Sequence, residues 1–117
     1  MSKLAITGVT LPDGSRTDLF VDAGRLVDQR PLGATTVDAD GLIALPGLVD
    51  IHTHLREPGR EDAETVESGS RAAARGGFTA VFAMANTQPV TDTAENAEHV
   101  LALGAAANNC QVFPIGA

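Results

Sequence analysis

The sequence predicts an α/β chain, with a small all-β segment at residues 1–45 followed by strand, helix, strand, helix and strand in parallel order at residues 46–117. Three observations carry this. Short β-prone runs separated by turn residues fill the first part, uncharged runs then alternate with helical patterns, and a hydrophobic share of 44% suits a globular core.

Residues 4–11 alternate loosely and stop at Pro12-Asp13-Gly14-Ser15, a strong turn signal. Residues 18–21 resume as a strand, and Ala23-Gly24 offers a tight turn before Arg25-Leu26-Val27. Residues 35–38 form another β-prone stretch, broken at Asp40-Gly41. None of this has helical periodicity, so a sheet with one solvated face is expected.

Residues 42–55 read as a buried apolar strand, as a parallel strand covered on both sides would. Residues 56–61 are a charged Pro/Gly loop. Residues 62–75 suit a helix with Ala63, Val66, Ser70, Ala73 and Ala74 near one face, stopped by Gly76-Gly77. A second buried strand covers 78–85. Asp92 is placed to cap a helix with Glu95 at the capping-box position, running to about Ala107, and a third strand covers 111–115. A (β/α)₈ barrel takes roughly 250 residues, more than the 117 here. Two readings follow: a small three-stranded domain, or the front part of something larger.

Fifteen acidic residues against eight Lys and Arg leave a formal charge of −7, so neither nucleic acid nor an anionic membrane is an expected partner. With four Phe and no Trp or Tyr there is no stacking platform for bases. The single cysteine, Cys110, excludes an internal disulfide and fits a reducing cytoplasm. The opening residues lack a signal-peptide core, and the apolar stretch 41–51, interrupted by Pro46 and Asp50, is too short to span a bilayer. The expectation is a soluble cytoplasmic protein.

The chemistry concentrates in Asp50-Ile51-His52-Thr53-His54-Leu55-Arg56-Glu57-Pro58-Gly59. His52 and His54 sit two apart on the expected strand, so both side chains leave one face with about 6–7 Å between Cα atoms. Two imidazoles so spaced can share one ion. A bare His-x-His is equally an ordinary polar pair; its place at the carboxyl end of a strand, where active sites of parallel α/β folds gather, favours the metal. Arg56 follows on the same face if strand geometry persists, and a guanidinium beside a cation calls for an anion such as a substrate carboxylate. Taken alone, it reads as a surface arginine beside Glu57 and Glu61, which with Asp62 read as a solvated acidic loop or as first-turn helix charges that suit the macrodipole. Asn86, ending the second strand, can donate to a carboxylate and accept from a ring N–H, or simply build a turn. His99 and Cys110 receive no role.

Together these segments resemble the class I bacterial dihydroorotases of the amidohydrolase superfamily. The match runs through Pro46-Gly47-Leu48-Val49-Asp50-Ile51 into His52-Thr53-His54-Leu55-Arg56-Glu57-Pro58-Gly59. It continues at Ala72-Ala73-Ala74-Arg75-Gly76-Gly77-Phe78-Thr79, Met84-Ala85-Asn86-Thr87-Gln88-Pro89 and Pro114-Ile115-Gly116-Ala117. Members often carry Pro where Ala85 stands. The resemblance implies that residues 1–45 are part of a small β-sandwich, and that residues 46–117 are the first two βα units and third strand of a (β/α)₈ metal-dependent hydrolase barrel, here incomplete. It implies Zn²⁺ as cofactor, His52 and His54 as metal ligands, and His54, Arg56 and Asn86 as substrate-binding residues. No catalytic residue is implied within these 117 positions. The implied reaction is reversible hydrolysis of dihydroorotate to N-carbamoyl-L-aspartate in pyrimidine biosynthesis, with homo-oligomers or association with aspartate transcarbamoylase as partners, and a chain of this length inactive alone. Hydantoinase- or allantoinase-type cyclic amidohydrolases, and a non-catalytic dihydroorotase-like subunit, are the alternatives; a standalone binding module ranks last.

Overall fold

The computed structural model describes residues 2–117, which divide into two compact units, one ending at Pro46 and one running over Gly47–Ala117. The first is one mixed sheet. Strands β1 (Leu4–Thr10), β2 (Arg16–Asp22), β3 (Arg25–Val27) and β4 (Thr35–Asp38) lie in the order β3-β2-β1-β4, with β4 parallel to β1 and the other pairs antiparallel. The Asp13 carboxylate accepts the Ser15 N–H at 2.9 Å, closing the turn between β1 and β2. A bulge interrupts the β1–β2 register between Ile6 and Val9. There Gly8 adopts φ +74° and donates its N–H to Asp18, and a Cβ on it would meet the Arg16 guanidinium at 2.9 Å. Ala5 and Val9 are buried, whereas every residue of β4 is exposed.

The second unit is a three-stranded parallel sheet, ordered β5-β6-β7, from β5 (Leu48–Thr53), β6 (Phe78–Ala83) and β7 (Gln111–Pro114). Helices α1 (Val66–Arg75) and α2 (Ala94–Ala107) form the crossovers. Leu55, Val66, Val81, Ala83, Val100 and Val112 make the core. Close approach shapes it at two glycines. A Cβ on Gly104 of α2 would lie 2.6 Å from Val112 Cβ, and one on Gly69 of α1 would lie 2.6 Å from Leu55 Cδ2.

Several expectations change. The apolar run 42–55 is not one buried strand. Residues 42–44 bond to Thr10 instead (Thr10 N–H to Leu42 C=O at 3.0 Å, Ala44 N–H to Thr10 C=O at 2.9 Å) and extend the first sheet, and β5 begins at Leu48. β5 is exposed at Leu48, Val49 and Ile51, because the helices pack on β6 and β7 rather than across it. Helix α1 starts at Val66 rather than 62. Thr65 is its N-cap and exchanges bonds with Ser68 in a capping box. The buried face is Val66, Gly69 and Ser70; Ala74 is exposed and Ala63 lies outside the helix. Helix α2 is capped by Thr93, whose side chain accepts the Asn96 N–H, in place of the expected Asp92 and Glu95. Asn108 ends it in the left-handed conformation at φ 50°.

Val81 on the central strand is 1% exposed and Ile51 on β5 is 72% exposed. Val81→Ala is expected to lower the unfolding free energy of the 117-residue chain by about 2 kcal/mol. Ile51→Ala should change it by under about 0.5 kcal/mol. Urea titration followed by circular dichroism measures both.

Candidate functional site

The site begins where β5 ends. Thr53 C=O still accepts from Met84 N–H at 2.8 Å, and two residues on Leu55 turns into the core at 3% exposure. His54 sits between these two anchors, half-buried, and His52 precedes it, exposed. The structure brings the two rings together with centroids 5.2 Å apart and planes at 65°. The Asp50 carboxylate accepts the His52 backbone N–H at 2.9 Å, and that bond holds its pKa below the ordinary value.

Asn86 follows β6 and faces the same histidine: His54 Nδ1 lies 2.9 Å from Asn86 Oδ1. An amide oxygen only accepts, so the ring proton is on Nδ1, and Nε2 keeps its lone pair for another partner. The Asn86 amide N–H groups stay available to an anion.

Arg56 departs from the expected strand alternation. It lies past the end of β5 in the left-handed conformation at φ 64°, so period-two spacing no longer sets its direction. It is exposed and forms no ion pair among the described residues. The loop around it is internally bonded: Glu57 N–H to Leu55 C=O at 2.8 Å, Arg60 N–H to Arg56 C=O at 2.9 Å, and Gly59 N–H to the Glu61 carboxylate at 2.8 Å. This last bond holds the Glu61 carboxyl below its ordinary pKa.

The β5 and β6 loops also hold each other. Gln88 N–H donates to Pro58 C=O at 2.9 Å, and Gly59, at φ 107°, packs so closely that a Cβ would sit 2.7 Å from Gln88. Behind Asn86, buried Thr91 shares a 3.0 Å hydroxyl bond with Thr87 and accepts the Ala117 N–H at 3.0 Å. The loops after β5, β6 and β7 thus form one bonded rim at the carboxyl end of the sheet.

Of the two sequence readings of Glu57, a solvated acid or a charge suited to the helix dipole, the structure takes the second. Its carboxylate accepts the Val66 N–H, the first of α1, at 2.7 Å. The pairing spans nine positions across a loop, so no local pattern announces it. His99 is exposed on α2. The Cys110 thiol contacts Ser70 C=O at 3.6 Å, with burial pushing its pKa up.

As a metal site the pair fits one ion. Two imidazoles bound tetrahedrally through nitrogens at about 2.0–2.1 Å have centroids separated by about 5 Å, and the observed spacing is 5.2 Å. No cluster of three or more His, Cys, Asp or Glu is arranged for a metal among the described residues; the pair offers two nitrogen donors, where a catalytic zinc usually takes three protein ligands. No helix is long and apolar enough to cross a membrane among the described residues.

Comparison with known proteins places the chain by family and fold. A family model described as Dihydro-orotase-like matches residues 41–117. The chain is 65% identical to a dihydroorotase of Leifsonia xyli over 96% of its own length and 26% of that protein's. It is 54% identical to a dihydroorotase of Streptomyces coelicolor over its whole length and 28% of the relative. It therefore spans about a quarter of the curated relatives it matches. Among solved structures, the L-hydantoinase (dihydropyrimidinase) of Arthrobacter aurescens superposes with a TM-score of 0.81 at 25% identity, over 99% of this chain and 28% of that one. An N-isopropylammelide isopropylaminohydrolase of Burkholderia multivorans shares the fold, with a TM-score of 0.73 at 19% identity over 99% of this chain and 37% of that one. With its paired histidines, its bonded rim and a family match over residues 41–117, the chain belongs to the dihydro-orotase-like family.

Proposed function

We propose that this sequence carries the first two metal ligands and the carboxylate-binding arm of a zinc-dependent dihydroorotase. The observation that carries the reading is the adjacent His52–His54 ring pair with His54 Nδ1 tied to Asn86. In this reading residues 46–117 are the opening βα units of a (β/α)₈ barrel and residues 1–45 are part of a β-sandwich. The remaining ligands and the catalytic carboxylate come from the length that the relatives have beyond this span. The protein is cytoplasmic, with homo-oligomers or a transcarbamoylase as its macromolecular partners.

His52 and His54 would hold the ion, His54 through the Nε2 that its bond to Asn86 leaves open. The chemistry that bound zinc supplies is Lewis acidity, which polarises an amide carbonyl and lowers the pKa of water. Asn86 keeps the His54 ring in one tautomer and orientation, a role that commonly affects metal affinity by 10–100-fold. Arg56, free of any ion pair among the described residues, takes the ring carboxylate of dihydroorotate, and the Asn86 amide N–H groups complete that anion site. Water then adds across the ring amide, and the C–N bond opens to N-carbamoyl-L-aspartate. The likeness to L-hydantoinase supports a second reading, hydrolysis of a cyclic amide without a ring carboxylate. An arginine held free at position 56 favours the acidic substrate.

In the full-length protein, Arg56→Ala is expected to lower kcat/KM for dihydroorotate by about 10- to 150-fold, the range for losing a hydrogen bond to a charged group. Unchanged kcat/KM, or faster turnover of hydantoin than of dihydroorotate, would reject the assigned substrate. Asn86→Ala should weaken zinc binding by about 10–100-fold in calorimetric titration. Retention of wild-type affinity would leave Asn86 as a turn residue only.

A further inference from the structure

We propose that Glu57 is the positioning residue of the carboxylate arm, holding Arg56 through the first turn of α1; this rests on the role given to Arg56 above. A long side chain at φ 64° occupies a region that L residues seldom adopt, so the surroundings must keep it there. The bonds from Glu57 N–H to Leu55 and from Arg60 N–H to Arg56 lie inside the loop and move with it. Beyond the short turn bonds from Ala63 and Glu64 N–H to Arg60 C=O, two ties reach out of it to other elements. One is the main-chain bond from Gln88 to Pro58, and the other is the Glu57 carboxylate on the Val66 N–H at 2.7 Å.

Only the second joins the loop to the core. Val66 is 1% exposed and belongs to the cluster that also contains Leu55. Arg56 is therefore bracketed by Leu55 on one side and by Glu57, clamped to α1, on the other. A carboxylate at a helix N-terminus is favoured by the peptide dipoles and by a charge-assisted bond. The helix already has its own box in Thr65 and Ser68. The distinctive effect of Glu57 accordingly falls on the loop that carries Arg56. Glu61, the neighbouring acid, is turned onto Gly59 instead.

Steady-state hydrolysis of dihydroorotate by the full-length protein tests this. Glu57→Ala is expected to raise KM by about five- to thirtyfold, the population factor set by releasing a left-handed residue, with kcat within about twofold. Val66→Pro removes the same N–H from the other side. Proline is accepted at the first helical position, and Thr65 before it is already extended at φ −112° and ψ 161°. It should raise KM alike, and it gives the answer if Glu57→Ala fails to fold. Glu57→Gln, which keeps an acceptor oxygen, should recover most of the loss. In an Arg56→Ala background, Glu57→Ala should add nothing, because both act on one arm. Fully additive losses would mean that Glu57 merely stabilises the fold and would overturn the proposal. So would a normal KM in Glu57→Ala and Val66→Pro while Arg56→Ala raises it, an outcome that leaves the Arg56 reading intact. A normal KM in Arg56→Ala removes both.

Discussion

Leu55 is 3% exposed, with its side chain seated against Gly69 of α1, while its chain neighbours His54 and Arg56 remain open to solvent on either side. Burying a leucine side chain contributes on the order of 1.5–3 kcal/mol, enough to hold a chain that has just left a strand with a single neighbour. The core that takes up Leu55 (Val66, Val81, Ala83, Val100 and Val112) draws on both helices and on β6 and β7. One hydrophobic contact thus sets the height at which a histidine and an arginine leave the sheet. The polar arrangement of the site is built outward from it.

Around that anchor the rim is stiffened by short polar links rather than by further apolar burial. His54 bonds to Asn86, Pro58 to Gln88, Glu57 to the first N–H of α1, and Thr91 to both Thr87 and the Ala117 backbone. Most of these links join segments brought together by the fold, and each satisfies a backbone or side-chain group that the rim would otherwise leave open. Polar preorganisation of this kind would suit the proposed site, with an ion and an anion side by side. The groups that would repel or wander are oriented before either ligand arrives.

The family relationship bears on substrate through the same residues. Sequence identity reaches 65% with a dihydroorotase, while the fold is shared with an L-hydantoinase at 25%. The fold is therefore shared by proteins named for different cyclic amides, and in the proposed reading discrimination rests on what the rim presents. In this chain the rim carries an arginine without an ion pair among the described residues and an asparagine bonded to His54.

The sequence by itself determined the order and type of every element after residue 46, and it singled out His52, His54, Arg56 and Asn86, because those signals are local. They are runs of uncharged residues, glycine stops, and ligands two positions apart at a strand end. It misplaced what depends on a neighbour. The run at 42–44 pairs with Thr10, β5 is exposed because the helices cover β6 and β7 instead, and α1 waits for the Thr65 cap. Arg56 leaves the strand alternation through a backbone dihedral that no spacing rule encodes. Tertiary structure alone decided that Glu57 reaches α1 and that Asn86 Oδ1 selects the His54 tautomer, since each is a hydrogen bond between segments brought together only when the core closes.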